Sequence, residues 1–281
     1  MELLLCVNRD SSSQPALEYG VWLAALLKVP VVLLGIVERL GSRPEIEGLI
    51  AKACRQLDEQ GLSYRTLIIE GSAEKVIAQE AERGEYLTLV GFLGRSCWRR
   101  LWRGRSFRRL MDLIETPLLY VPSTRFCIRR ILVCTGGLRY AEGVLHMVKP
   151  IAQASGACVT LLHITEPASL DFPLADELKE YSEDLLESST PQAQYIQQAL
   201  TEFDNAGITV EMKHRRGYIV HEILKETQEV DYDMVGLGSQ HGVETLRHLF
   251  TPNVSAAVVE AVDLPVLVVR YQHGVDFATK L

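Results

Sequence analysis

The chain has 281 residues, of which 47% are hydrophobic and 23% charged, with a formal net charge of -7. That balance excludes a chain dominated by disorder and disfavours a bulk nucleic-acid binder, while the length suits one large domain or two of ordinary size. The charge is uneven: residues 1–124 hold 16 Lys plus Arg against 15 Asp plus Glu, which leaves 13 against 21 for residues 125–281.

Met1 to Val7 is a predicted strand, followed by a polar turn over Asn8 to Ser13 in which Asn8 is a candidate helix cap and a candidate ligand contact. Pro15 suits the first turn of a helix running to about Lys28. Pro30 to Val37 is apolar on both faces, as a central parallel strand is. A helix near Glu45 to Gln60, ended by Gly61, leads to a strand over Ser63 to Ile69. Gly71-Ser72 reads as a cap, Ala73 to Glu82 as a helix, and Tyr86 to Gly91 as a fourth strand.

The same alternation then repeats. Strands are predicted over Arg130 to Thr135, Ala157 to Thr165, Thr209 to Lys213, Met234 to Leu237 and Pro265 to Val269, with helices over Tyr140 to Ala154, Gln192 to Ala206, Ile219 to Gln228 and Val254 to Val262. One interval recurs in both copies: Gly104 stands 13 residues before Pro117, and Pro252 stands 13 before Pro265. An acidic segment over 166–191 has no counterpart of that length in the first copy, and reads as a solvated stretch or as a shield for the first copy's arginines. Two tandem βαβαβαβαβ units, residues 1–124 and 125–281, give open parallel sheets with helices on both faces. Ligands of such sheets sit beyond the C-terminal ends of the strands at the switch point.

The stretch from Tyr86 to Pro122 carries the strongest local signal. A strand, a glycine-rich turn holding Gly91, Gly94 and Gly104, and a helix follow one another, an arrangement that exposes backbone N–H groups to an anion. Seven arginines, 95, 99, 100, 103, 105, 108 and 109, concentrate there, with Trp98, Trp102 and Phe107 between them. Three readings stay open: an anion site, glycines that serve only a tight turn, and a surface for a protein partner. Arg105 either contacts a phosphate or fills the space of one. Neither GxGxxG nor GxxxxGK[ST] is present.

With these residues in view, the chain resembles a tandem member of the universal stress protein family over nearly its whole length. The family pattern after the fourth strand is Gly-x2-Gly-x9-Gly-[Ser/Thr]. Gly91-x2-Gly94-x9-Gly104 reproduces the glycine spacing, with Arg105 at the usual Ser or Thr and Ser106 one position later. The second copy has Gly242-x9-Pro252-Asn253 there, and closes on a typical Pro-Val-Leu-Val-Val strand. The resemblance implies two Rossmann-like α/β domains of the adenine nucleotide alpha hydrolase type, each a five-stranded parallel sheet of order 3-2-1-4-5. It also implies ATP or AMP binding in the first domain alone. Asn8 stands where relatives place an Asp beside the nucleotide, Val37 on the adenine side, and Gly91, Gly94, Gly104, Arg105 and Ser106 around ribose and phosphate. In the second domain the Asp position falls on Gly136 and the adenine-side position near Ile164, a degenerate site. The expected role is a regulatory one in the cytoplasm. The alternatives are a nucleotide-independent interaction module that uses Arg95 to Arg109, and a weak ATPase. The last strands of the two domains are expected to pair within the chain, and a homodimer of whole chains is a further expectation.

Other chemistries find little support. Six cysteines, at 6, 54, 97, 127, 134 and 158, form no CxxC and fit single thiols in a reducing compartment, with Cys6 and Cys134 as buried small hydrophobes. All seven histidines lie beyond residue 145 without a metal-ligand spacing, and no metal site is predicted. No GxSxG elbow or other covalent nucleophile appears, so no catalytic residue is assigned. The run from Val21 to Val37 is broken by Lys28 and Pro30 and is too short to cross a membrane; no signal peptide is expected.

Overall fold

The ten strands and eight helices of the two predicted units recur in a computed structural model that describes residues 1–9, 13–39, 41–91, 107–135, 140–165, 191–240 and 254–271. The first half runs β1 (Glu2–Val7), α1 (Gln14–Leu27), β2 (Val31–Val37), α2 (Arg43–Glu59), β3 (Tyr64–Glu70), α3 (Ala73–Ala81), β4 (Tyr86–Val90), α4 (described over 107–113) and β5 (Leu118–Tyr120). The second runs β6 (Arg130–Thr135), α5 (Tyr140–Ser155), β7 (Cys158–Thr165), α6 (Pro191–Asn205), β8 (Val210–Arg216), α7 (Ile219–Glu229), β9 (Met234–Gln240), α8 (Val254–Ala261) and β10 (Val266–Tyr271).

All ten strands join one sheet of order β3-β2-β1-β4-β5-β10-β9-β6-β7-β8, which is 3-2-1-4-5 in each half, the second half read in reverse. Every pairing is parallel except the seam, where β5 and β10 run antiparallel with Leu119 opposite Leu267. The expected pairing of the two last strands is therefore present. Helices cover both faces, and the apolar residues divide into two layers, each of which extends across both halves. Every residue of β2 is buried for this reason, whereas the edge strand β3 has only half-buried and exposed residues.

The two halves are held together by more than strand pairing. Arg108 on α4 meets Glu260 on α8 at 2.9 Å, and Ser123 Oγ donates to Asp263 O at 3.2 Å. Phe126, in the connection between halves, lies 6.1 Å from Trp22 of α1, ring centre to ring centre. At the entry to β6 the buried carboxylate of Asp233 accepts the backbone N–H groups of Arg129 and Arg130 at 2.7 and 3.1 Å.

Three local expectations shift. The N-cap position of α1 is Ser13, not Asn8; the Asn8 carbonyl instead accepts the Ser13 hydroxyl at 3.1 Å. Ser72 occupies the N-cap of α3 but makes no side-chain cap bond, and Glu38 Oε1 accepts the Ala73 N–H in its place at 3.2 Å. β8 continues three residues past Lys213, and β9 past Leu237. The acidic segment over 166–190, Arg95 to Ser106 and the second glycine loop from His241 to Asn253 lie outside the described residues. Among the described residues no helix is long and apolar enough to cross a membrane.

Candidate functional site

In the first half β1 lies between β2 and β4, so its C-terminal end is the switch point. Val7 stands opposite Gly35 of β2, and Leu5 opposite Leu89 of β4. Asn8, Val37 and Gly91, each at or just beyond a strand end, therefore reach the same edge of the sheet. Gly94, Gly104, Arg105 and Ser106 lie outside the described residues. Asn8 is half-buried, and Val37 and Gly91 are buried. The Val37 carbonyl is occupied by the Gly71 N–H at 3.1 Å, and the Val90 carbonyl by the Val121 N–H at 2.9 Å.

Charged residues missed in the sequence surround this edge. Arg9, next to Asn8, pairs with Glu45 at the start of α2 at 2.6 Å. Arg43 contacts Glu47 at 2.9 Å and Glu70 at 3.7 Å. Glu38 turns to the start of α3, where the helix dipole favours a carboxylate. Arg108 is committed to Glu260 across the seam, so this member of the arginine run ties the halves together.

Gly35 sets the shape of the apolar side of this edge. A Cβ there would stand 2.7 Å from Ile46 Cγ2 and 2.8 Å from Ile50 Cδ1, so only glycine lets α2 lie this close to β2. Ile68 of β3, paired with Gly35, completes an apolar patch.

The second half carries different chemistry on the same frame. Val7 opposite Gly35 corresponds to Thr135 opposite His163, and Gly35 opposite Ile68 to His163 opposite His214. By the same register Val37 corresponds to Thr165, one residue beyond the Ile164 chosen from sequence; Gly136 lies outside the described residues. The rings of His163 and His214 stack with centres 5.8 Å apart and planes 18° apart. Thr135 Oγ1 lies 3.2 Å from His163 Nδ1, and Thr165 Oγ1 lies 2.9 Å from His214 Nε2. Burial and the neighbouring His214 ring hold His163 below the usual imidazole range; burial and the charge of Arg216 do the same to His214. The sequence signal was a histidine near the end of a predicted strand, and it was lost because β8 was expected to stop at Lys213.

Among the described residues no three His, Cys, Asp or Glu side chains cluster as metal ligands. Cys6 and Cys134 are buried at matching places on β1 and β6, and burial pushes both thiols far up, which suits packing and not nucleophilic attack.

A universal stress protein from Archaeoglobus fulgidus superposes with a TM-score of 0.71 at 15% identity, over 97% of each chain. A putative universal stress protein from Pseudomonas aeruginosa gives 0.66 at 16% identity, over 96% of this chain and 92% of that one. No curated protein sequence matches. The model of the universal stress protein family matches residues 128–270, the half whose glycine loop departs further from the family pattern. That match spans half of the chain, the architecture agrees over nearly all of it, and the chain belongs to the universal stress protein family.

Proposed function

We propose that the chain is a stress-response protein of the cytoplasm that binds an adenine nucleotide, ATP or AMP, in its first half, and that occupancy regulates what the protein contacts. In this reading residues 1–124 form the binding domain and residues 125–281 a second domain without a nucleotide site of its own. The observation that carries it is the meeting of Asn8, Val37 and Gly91 at one edge of the sheet, with Gly91 opening the spacing Gly91-x2-Gly94-x9-Gly104. Asn8 would lie by the sugar and Val37 by the base. Gly94, Gly104, Arg105 and Ser106 would surround ribose and phosphates, with Arg105 balancing their charge. Asn8 supplies no carboxylate for magnesium, so hydrolysis is not assigned. The chain works as a single molecule or as a homodimer.

A second reading, an interaction module that needs no nucleotide, uses the members of the Arg95 to Arg109 run other than Arg108, whose charge is taken up by Glu260. Small molecules released by denaturing purified protein, quantified by mass spectrometry, separate the two. About one adenine nucleotide per chain supports the first reading. Empty protein that also fails to bind ATP, ADP or AMP in titration overturns it.

A further inference from the structure

The C-terminal edge of β7 and β8 presents Thr165 and Arg216 beside the ring of His214, which stacks on His163. Side chains alternate along a strand, so His214 and Arg216 share a face with Val210 and Met212, roughly 7 Å apart along β8. Lys213 and Arg215 point to the other face, where Glu226 takes both charges. Arg216 and His214 are both exposed, and among the described residues neither pairs with a carboxylate. Thr165, in register with Arg216, adds a hydroxyl.

The first half provides an internal comparison. The places of His163, His214, Thr165 and Arg216 are held there by Gly35, Ile68, Val37 and Glu70. Three are apolar, and the fourth is an anion in contact with Arg43. The chain has thus reversed the charge and introduced hydrogen-bonding groups at one edge of an otherwise repeated frame. A fixed guanidinium beside two imidazoles repels a metal cation, and no third ligand is present among the described residues. The same set attracts an oxyanion: arginine offers forked N–H donors, and a bound anion favours a further proton on the His214 ring, which then donates through Nδ1 while Nε2 stays with Thr165.

We propose that this edge of the second half is an oxyanion site, with Arg216 and His214 as its contacting residues, Thr165 as a hydroxyl donor and His163 as the supporting ring. Its ligand is inorganic phosphate or the phosphoryl group of a small organic phosphate. The site is separate from the edge formed by Asn8, Val37 and Gly91, and it does not depend on nucleotide binding there.

Histidine-ring NMR of the full chain at neutral pH tests this. Inorganic phosphate, titrated at constant ionic strength with chloride as the reference salt, is expected to displace the His214 ring signals saturably, while chloride is not. Arg216→Ala and Arg216→Gln are each expected to weaken phosphate about tenfold, since the lost contact is a charge-assisted one. Arg216 is exposed, so both variants keep the fold. Methyl phosphate identifies the source: equal binding points to an esterified phosphoryl group, and binding of inorganic phosphate alone to the free ion, both consistent with the site. An equal response to chloride, or undiminished phosphate affinity in both Arg216 variants, overturns the proposal.

Discussion

Glu80 and Glu226 hold the same place in the two halves, each buried, and each nine residues after a glycine with positive φ, Gly71 and Gly217. A Cβ on Gly71 would come within 2.9 Å of Val76, and one on Gly217 within 2.7 Å of Glu222, so the turn before each helix is closed to larger residues. Glu226 accepts from Lys213 Nζ at 2.8 Å, Arg215 Nη2 at 2.5 Å and the Tyr232 hydroxyl at 2.7 Å. Burial pushes its carboxyl up, but Lys213, Tyr232 and Arg215 outweigh that and hold it below the usual range. Glu226→Gln leaves two cations facing a neutral amide, at an expected cost of about 3 kcal/mol in urea unfolding at pH 7. Because the folded carboxyl is the stronger acid, its contribution is complete above roughly pH 4.3 and fades as pH falls further through the folded value. The difference between wild type and Glu226→Gln should narrow in that window.

The stacked imidazoles titrate with the opposite chemistry. Both His163 and His214 are held below the ordinary value, so the fold favours their neutral forms. Their contribution is complete above roughly pH 6.5, is lost as pH falls from there towards the folded values, and then levels off. His163→Leu is expected to flatten the stability profile between about pH 6.5 and 5, measured by chemical denaturation at half-unit steps. An unchanged slope would remove His163 from any role in acid sensitivity.

Arg108 and Glu260 join α4 to α8 across the seam, both partly exposed. A double-mutant cycle with Arg108→Ala and Glu260→Ala should give a coupling of about 0.5 kcal/mol at low salt, shrinking at high salt. A coupling near zero would mean that strand pairing and apolar burial alone hold the halves.

Gly35 is conformationally ordinary but sterically closed. Gly35→Ala should lower stability by about 1–2 kcal/mol in thermal unfolding, because the Ile46 methyl on α2 has to yield. The change should also displace the helix that frames the edge near Val37, so nucleotide affinity, where present, is expected to fall with it.

Most of the fold was legible because its strands are short apolar runs punctuated by glycine and proline. Val31–Val37 and Arg130–Thr135 could hardly be anything but buried parallel strands. The end of β8 was not, since His214, Arg215 and Arg216 look like loop residues. Arg215 is accommodated in a strand because Glu226 and Glu229 of α7, the next helix, receive it. The imidazole pair was hidden for a related reason: residues 163 and 214 meet through strand register, and no spacing within either strand announces it. Glu38 was likewise unreadable as the partner of α3, because a carboxylate 35 residues upstream replaces the local cap that Ser72 promised. At the first-half edge, Val37 and Gly91 close predicted strands and Asn8 follows one, which is why the three reach one edge of the sheet.

A dimer of identical chains joined through equivalent strands has an isologous interface, in which any substitution appears twice and must suit both sides. The antiparallel β5–β10 seam lies within one polypeptide and escapes that constraint. Arg108 stands where the other half has Ala256, and Glu260 where it has Asp112, so the cross-seam ion pair occurs on one side of the pseudo-twofold only. Covalent linkage also makes the association independent of protein concentration, with an effective local concentration in the millimolar range for a short connection. One side of the molecule can therefore evolve a new surface while the other keeps the old one, and dilution does not separate them.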